Sequence, residues 1–377
     1  MRIVVFNHSF FYLSETFIYR QVAGLPKDVS ATLLGFDFAN EKLFPTTNSR
    51  LKLNRPLNIV NKALNRVLPS VIKNKMGFDL FNYFKVKKYL LKAKPDAIHA
   101  HFGFNGRDIF PLARLLKIPL IVSFHGVDAS PQMLKNQEYK NAMRNMINYA
   151  SAIIVVSPHM IDTLEISQWK NKTYLIPYGV DTGEFIHNVE RGNKKQITIL
   201  HSGRLVTKKG VPDLIRVFIN LEKKIKNIKL IIIGDGQELE ASKDIAKQST
   251  ADIEFLGAQT QEAVKKYMSL SDIFVLNSRT SENGDMEGLP NAILEAMSME
   301  LPVVSTFHAG IPQAITDGIN GMLAPERDNA ALEERLEKLI IDDAMRVSMG
   351  KVARNTVQSE FTIDKMNDRI AEVYRSI

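Results

Sequence analysis

The 377-residue sequence contains no cysteine, which excludes a disulfide framework, a thiolate zinc site and a cysteine nucleophile, and permits a reducing compartment. Long apolar runs are missing too. Ala152 to Val156 and Leu230 to Ile233 stop far short of the roughly 18 residues a membrane-spanning helix needs. The opening Met1-Arg-Ile-Val-Val-Phe6 meets Asn7 and His8 too soon to form the core of a signal peptide and reads as a first strand. What is present is ordinary for a globular chain: 45% hydrophobic and 24% charged residues, enough to bury sizeable cores and to exclude disorder as the main state. At roughly 150 residues per domain, the length predicts two domains.

Charge is unevenly distributed. Residues 1–180 carry 24 Lys and Arg against 11 Asp and Glu, whereas residues 181–377 carry 25 against 30, so the net +8 comes from the first half. Between Arg50 and Lys94, 12 basic residues face one acid, Asp79. Interleaved apolar residues from Leu57 to Leu90 give this stretch the pattern of basic amphipathic helices, a surface that attracts anionic lipid. A solvated basic helix pair is the alternative. No nucleic-acid module accompanies the stretch, and we expect no nucleic-acid partner.

Short β-branched runs alternate with helix-length segments. Ile3 to Phe6, Ala31 to Leu34, Ala97 to Ala100, Leu120 to Phe124, Ala152 to Val156 and Tyr174 to Ile176 form one series. Ile197 to His201, Lys229 to Ile233, Ile253 to Leu256, Ile273 to Leu276, Pro302 to Ser305 and Gly321 to Leu323 form another. Both read as buried parallel strands joined by crossover helices, giving an α/β fold of two Rossmann-like doubly wound units around a central cleft. The expected boundaries are 1–177 with a basic insertion near 50–94, 178–360, and a terminal helix at 361–377 that can pack back on the first unit.

Two loops in the second unit have the chemistry of an anion site. Glu287-Gly-Leu-Pro-Asn-Ala-Ile-Leu-Glu295 places Pro290 in a first helical turn, leaving the Gly288 and Leu289 amides as donors at the helix start. Glu295 falls about one turn inside the helix, and Glu287 precedes it. Alternatively, Glu287 is a cap and Glu295 a solvated acid. Ser202-Gly-Arg-Leu-Val-Thr-Lys-Lys-Gly210 puts Arg204 and Lys209 in one strand-to-helix loop, a planar fork and a point charge suited to pyrophosphate, or else an exposed basic loop. Asp-X-Asp occurs nowhere, so these cations, rather than a metal, are expected to neutralise a departing diphosphate. Gly234-Asp-Gly236 reads as a tight turn. In the first unit, His125 follows a strand end, where ligands are expected. A satisfied buried histidine is the alternative, more so for His99 and His101.

These pieces resemble the retaining, nucleotide-sugar-dependent glycosyltransferases of family 4, which have the GT-B fold. The resemblance runs through Pro177-Tyr-Gly-Val-Asp181, Ser202-Gly-Arg204, Lys209-Gly210, Ile232-Ile-Gly-Asp-Gly236, Phe255-Leu-Gly257, Glu287 to Glu295 and Gly310-Ile-Pro312. It is looser in the first half, through His99-Ala-His101, Ser123-Phe-His-Gly-Val-Asp128 and Ser14-Glu-Thr-Phe17. The last of these, with Asp285-Met-Glu-Gly-Leu-Pro290, is similar to bacterial exopolysaccharide transferases of the colanic-acid type. The family's glycine pair after the first strand is replaced by Asn7-His-Ser-Phe-Phe-Tyr-Leu-Ser14, where Ser14 and Glu15 can instead begin a helix as cap and first-turn acid.

The resemblance implies that Arg204 and Lys209 bind the donor diphosphate with Gly288 and Leu289, that Glu295 binds the ribose, and that Phe255, Leu256 and Gly257 lie beside the base. It implies that His125 and Glu287 are catalytic, and that Glu15, His101 and Asp128 line the acceptor side. Neither cofactor nor metal is expected; the nucleotide-diphosphate sugar is a substrate. The implied reaction moves a hexose to a lipid-diphosphate-linked or oligosaccharide acceptor for exopolysaccharide, capsule or O-antigen at the inner face of a bacterial cytoplasmic membrane. The competing expectations are a nucleotide-sugar epimerase or hydrolase of the same fold, and a non-catalytic nucleotide-sugar-binding partner of another transferase.

Overall fold

Strands buried along their whole length build the protein. The computed structural model describes residues 1–12, 15–54, 78–130, 134–187, 195–250 and 252–377, and these divide into two compact units: residues 1–177 with 363–377, and residues 178–362. The first unit contains β1 (Arg2–Phe6), β2 (Ser9–Phe10), β3 (Ser30–Gly35), β4 (Asp37–Phe38), β5 (Ser49–Lys52), β6 (Ala97–His101), β7 (Leu120–Phe124), β8 (Ala152–Val155) and β9 (Thr173–Leu175). Seven of these form a parallel sheet in the order β5-β3-β1-β6-β7-β8-β9, while β2 and β4 pair separately. The second unit contains β10 (Ile197–Ser202), β11 (Ile228–Ile233), β12 (Asp252–Gly257), β13 (Ile273–Val275), β14 (Val303–Thr306) and β15 (Met322–Ala324), in the order β12-β11-β10-β13-β14-β15.

Alternation sorts the side chains of the second sheet between two cores. Ile199, Leu230, Ile232, Ile273, Val275 and Val304 face one layer, with the helix Val211–Lys224 closing it through Leu214, Val217, Phe218 and Leu221. Leu200, Ile231, Ile233, Phe274 and Val303 face the other, with Ile293, Leu294 and Met297 of the helix Asn291–Ser298. Near-continuous apolar strands are the consequence, since a parallel sheet covered on both faces has no solvent side.

The strand order reverses between β1 and β6 in the first unit and between β10 and β13 in the second. Loops leaving those strand ends diverge and open a crevice, the place where ligands bind in sheets of this kind. In the second unit the diverging loops are the one that carries Arg204 and the one that runs from Leu276 to Pro290.

The terminal helix Ile363–Arg375 belongs to the first unit. Met366, Ile370, Val373 and Tyr374 join Ile18 and Val22 of the helix Thr16–Ala23 in the same core as Ile3 and Val5. Each such burial stabilises by about 1.5–3 kcal/mol. The helix Leu80–Ala93 turns Asn82, Val86 and Leu90 inward. Asp79, the single acid of the basic stretch, caps it by accepting from the Asn82 amide at 3.1 Å. Its outer face leaves Phe81 63%, Phe84 58% and Leu91 55% exposed beside Lys85, Lys87, Lys88 and Lys92. The apolar residues expected between Leu57 and Ile72, and Ser14, lie outside the described residues. Among the described residues no helix is long and apolar enough to cross a membrane.

Candidate active site

The loop after β10 is shaped by its neighbours. Gly234 (φ +140°) lets the turn after β11 approach so closely that a Cβ there would lie 1.9 Å from the Gly203 carbonyl oxygen. Gly236 is similarly placed, 2.4 Å from the Leu205 carbonyl oxygen. Backbone bonds from Leu205 to Asp235 (2.9 Å) and from Glu238 to Leu205 (2.9 Å) complete the clamp. Gly234-Asp-Gly236 is therefore more than a turn. It fixes the backbone from which Arg204 projects.

Arg204 is exposed and lines an open cavity of about 390 Å³, together with Thr207, Lys208, Gln237, Asn283 and Asp285. Lys208, which nothing in the sequence distinguishes from its neighbour, bonds Asp285 at 3.0 Å and the Met286 carbonyl at 3.3 Å. Lys209 is buried, with Nζ 3.3 Å from Glu287 Oε1, an ion pair whose geometry falls short of a hydrogen bond. Lys208 lies 3.7 Å from the same oxygen. Burial by itself would raise the Glu287 carboxyl, but Lys209 and then Lys208 outweigh it and hold the group below its ordinary value. Glu287 is ionised at neutral pH, and two ammonium groups face it. Beneath them His201 is buried and pushed down to about 3, first by burial and then by Lys209, so it is neutral.

Pro290 is the N-cap of the helix Asn291–Ser298 rather than its first residue. It lies one position earlier than expected because its ψ of 128° is extended. Gly288 and Leu289 precede it, their amides unpartnered among the described residues, and Gly310 closes on them from the loop after β14, donating to the Gly288 carbonyl at 3.3 Å. A Cβ on Gly310 would come within 2.9 Å of the Leu289 nitrogen. Glu295 is half-buried one turn into the helix. Phe255, Leu256 and Gly257 end β12, and the Gly257 carbonyl accepts from Gly234 at 2.8 Å. Lys209, Glu287, Glu295 and Phe255 to Gly257 do not line the cavity that Arg204 and Lys208 share.

One further group went unnoticed in the sequence. His308, fully buried after β14, accepts from the Glu287 amide at its Nε2 (2.9 Å), and its Nδ1 lies 2.6 Å from Glu326. Glu326 also accepts from the Thr280 amide at 2.7 Å. Burial opposes its charge, yet the bonds from Thr280 and His308 hold the carboxyl below its usual value. A lone histidine beside Gly310-Ile-Pro312 gave no spacing signal for this.

In the first unit His99, His101 and His125 form a ladder, with ring centroids 4.6 and 5.2 Å apart. His101 Nδ1 and His125 Nε2 lie 3.0 Å apart and share one hydrogen. Burial depresses all three, His101 to about 3, so the ladder is neutral. Phe17 and Phe102 pack on the half-buried His125 ring. His99 is tied to Ser123 (2.7 Å) and to Tyr374 of the terminal helix (2.7 Å). Asp128 is fully buried, and its oxygens are taken by the Gly103, His125 and Gly126 amides at 2.8–3.0 Å. Its side chain thus orders the His125 loop instead of meeting an acceptor. Glu15 is the N-cap residue of the helix Thr16–Ala23 without making a side-chain cap bond. Burial raises its carboxyl, opposed by the Asn7 amide 3.4 Å away.

Comparison with known proteins agrees in both halves. Residues 183–356 match the family model for glycosyl transferases group 1, and residues 14–184 match that for glycosyltransferase family 4. The chain is similar to the amylovoran biosynthesis glycosyltransferase AmsK of Erwinia amylovora, 29% identical with 99% of each chain covered. It is also similar to the putative colanic acid biosynthesis glycosyltransferase WcaL of Salmonella typhimurium, 29% identical over 75% of this chain and 71% of that one. Among solved structures, Anabaena HepE in complex with UDP superposes with a TM-score of 0.78 at 19% identity, all of both chains covered. The lipopolysaccharide outer core galactosyltransferase WaaB superposes at 0.70 with 18% identity, over 100% of this chain and 99% of that one.

Proposed function

The chain belongs to the family 4 glycosyltransferases of GT-B fold, and on that footing we propose that it moves a hexose from a nucleoside-diphosphate sugar to a growing bacterial exopolysaccharide, capsule or O-antigen. Transfer proceeds with retention and without a metal. The acceptor is a lipid-diphosphate-linked or oligosaccharide chain at the inner face of the cytoplasmic membrane. The observation that carries this reading is the ionised Glu287 held by Lys208 and Lys209 beside the cavity where Arg204 stands.

Three cations around one loop offer the charge a diphosphate needs as it departs, a role in which such groups stabilise a transition state by roughly 3 kcal/mol each. Gly288 and Leu289 supply amide donors to the same diphosphate. Glu287 accepts from hydroxyls of the transferred sugar and Glu295 from the ribose, while the end of β12 meets the base. The first unit supplies His125, whose neutral ring accepts or donates a hydrogen bond without bringing a charge, and it holds the acceptor. The exposed Phe81, Phe84 and Leu91 among lysines suit an anionic bilayer surface. The exopolysaccharide assignment is supported by the relatives named for amylovoran and colanic acid biosynthesis.

The test is a mass-spectrometric screen of UDP- and GDP-sugars with and without lipid-linked acceptors, followed by NMR of the anomeric proton of the product. Nucleoside diphosphate release coupled to an α-linked product from an α-linked donor is the expected result. Free sugar or an epimer from donor alone would replace transfer by hydrolysis or epimerisation, and binding without any turnover would make the protein a non-catalytic partner.

A further inference from the structure

Glu287 stands in a 15-residue stretch without regular secondary structure, from Leu276 to Pro290, yet its carboxylate must keep a fixed place between two lysines. A loop of that kind does not hold a charge by itself. Its amide is bonded to His308 Nε2 at 2.9 Å. An amide can only donate, so Nε2 must be the bare nitrogen, and the ring hydrogen sits on Nδ1. Nδ1 lies 2.6 Å from Glu326 Oε1, where a carboxylate accepts it. Glu326 is in turn fixed by the Thr280 amide and hydroxyl, at 2.7 and 3.3 Å. Three loops, those leaving β13, β14 and β15, are thus linked into one chain that ends on the Glu287 backbone. The Gly310 bond to the Gly288 carbonyl repeats the tie one residue on.

We propose that His308 is a positioning residue for Glu287, its imidazole fixed as the Nδ1–H tautomer by Glu326 so that Nε2 holds the Glu287 amide and sets the carboxylate between Lys208 and Lys209. The catalytic consequence rests on the reading of Glu287 as a donor-sugar ligand; the tautomer does not. A fully buried histidine that only filled space would need no carboxylate on one nitrogen and no amide on the other. The orientation also makes a substitution rule. Glutamine at 308 offers an oxygen to the Glu287 amide and an NH₂ to Glu326, reproducing both bonds. Glutamine at 326 does the reverse. Its single oxygen is claimed by the Thr280 amide, its NH₂ faces His308 Nδ1, and the ring hydrogen must move to Nε2, where it meets another donor.

The experiment uses the full chain labelled with ¹⁵N-histidine, His308 being assigned by the signals that His308→Gln lacks. The wild type should show a protonated Nδ1 and a bare Nε2, and Glu326→Gln should invert them. Kinetically, with the donor selected by nucleoside diphosphate release from UDP-glucose, UDP-galactose and GDP-mannose, His308→Leu should lower kcat roughly ten- to a hundredfold with donor KM much less affected. His308→Gln should recover most of that loss, and Glu326→Gln should resemble His308→Leu. A wild-type ring protonated on Nε2, or a His308→Leu enzyme with wild-type kcat, overturns the proposal. If His308→Leu does not fold, the wild-type and Glu326→Gln spectra decide. If no donor is turned over by the wild type, the donor reading fails while the spectra still test the tautomer.

Discussion

Replacing Lys209 with methionine keeps an unbranched apolar stem out to Cε near Gly203 but removes the cation 3.3 Å from Glu287. Stranding one member of a buried ion pair costs about 3–5 kcal/mol. Lys208, 3.7 Å from the same oxygen, still compensates part of the charge, so the expected loss is nearer 2–3 kcal/mol at neutral pH. The pH dependence identifies the cause. In the wild type the Glu287 carboxyl is held below its ordinary 4.5, so its contribution to stability is present above that value and is lost as pH falls through the depressed one. In Lys209→Met the strongest opposing cation is gone and burial draws the carboxyl upward. The difference between the two proteins is therefore greatest near neutrality and shrinks on acidification toward pH 4 and below. Urea unfolding at pH 7.5, 5.5 and 4, followed by far-ultraviolet circular dichroism because the single tryptophan, Trp169, lies in the other unit, measures it. Adding Glu287→Gln should restore at least half the loss at pH 7.5. A penalty independent of pH, one below about 0.5 kcal/mol, or a double variant as unstable as the sum of the single ones would refute the charge-pair account.

Three other outcomes can be checked directly. Arg204→Ala should leave circular dichroism unchanged, because the side chain is exposed, while slowing release of nucleoside diphosphate roughly thirty- to a thousandfold, as the proposed support of the departing charge requires. Tyr374→Phe removes a hydroxyl that bonds His99 at 2.7 Å and accepts from Gln21 at 3.1 Å; a loss of about 1–3 kcal/mol in the first unit is expected, read by Trp169 fluorescence in urea. The protein should sediment with phosphatidylglycerol vesicles at low salt and be released at high salt, and Phe81→Ser with Phe84→Ser should weaken the low-salt binding; sedimentation indifferent to lipid charge and salt counts against a bilayer-facing helix.

The alternation of apolar strands with helix-length segments made both sheets legible, because a parallel strand buried on two faces advertises itself by an unbroken β-branched run. Edge strand β5 did not. Ser49–Lys52 has one apolar residue among four, and its pairing with β3 depends on a partner rather than on its own composition. Arg204, Lys209 and Glu287 could be singled out because each sits at a strand end or helix start, where backbone direction is implied by sequence. Lys208 could not be ranked against Lys209, since which of two adjacent lysines turns inward is settled by Asp285 and by the turn Thr207–Lys209. His308 and Glu326, and the clamp of Gly234 on Gly203, are contacts between loops far apart in sequence, so no local spacing encodes them. For Asp128 the resemblance implied only a place on the acceptor side; the three amides that converge on it are brought there by the fold.

The first unit is assembled from two stretches of chain separated by the whole of the second. During synthesis the second unit, continuous in sequence, can reach its native state as it emerges. The first must wait with an open hydrophobic seam, and His99 without its tyrosine, until residue 374 leaves the ribosome. A stalled or prematurely terminated message thus yields a folded second unit tethered to an unfinished first one, a species for proteases and chaperones rather than a slow enzyme.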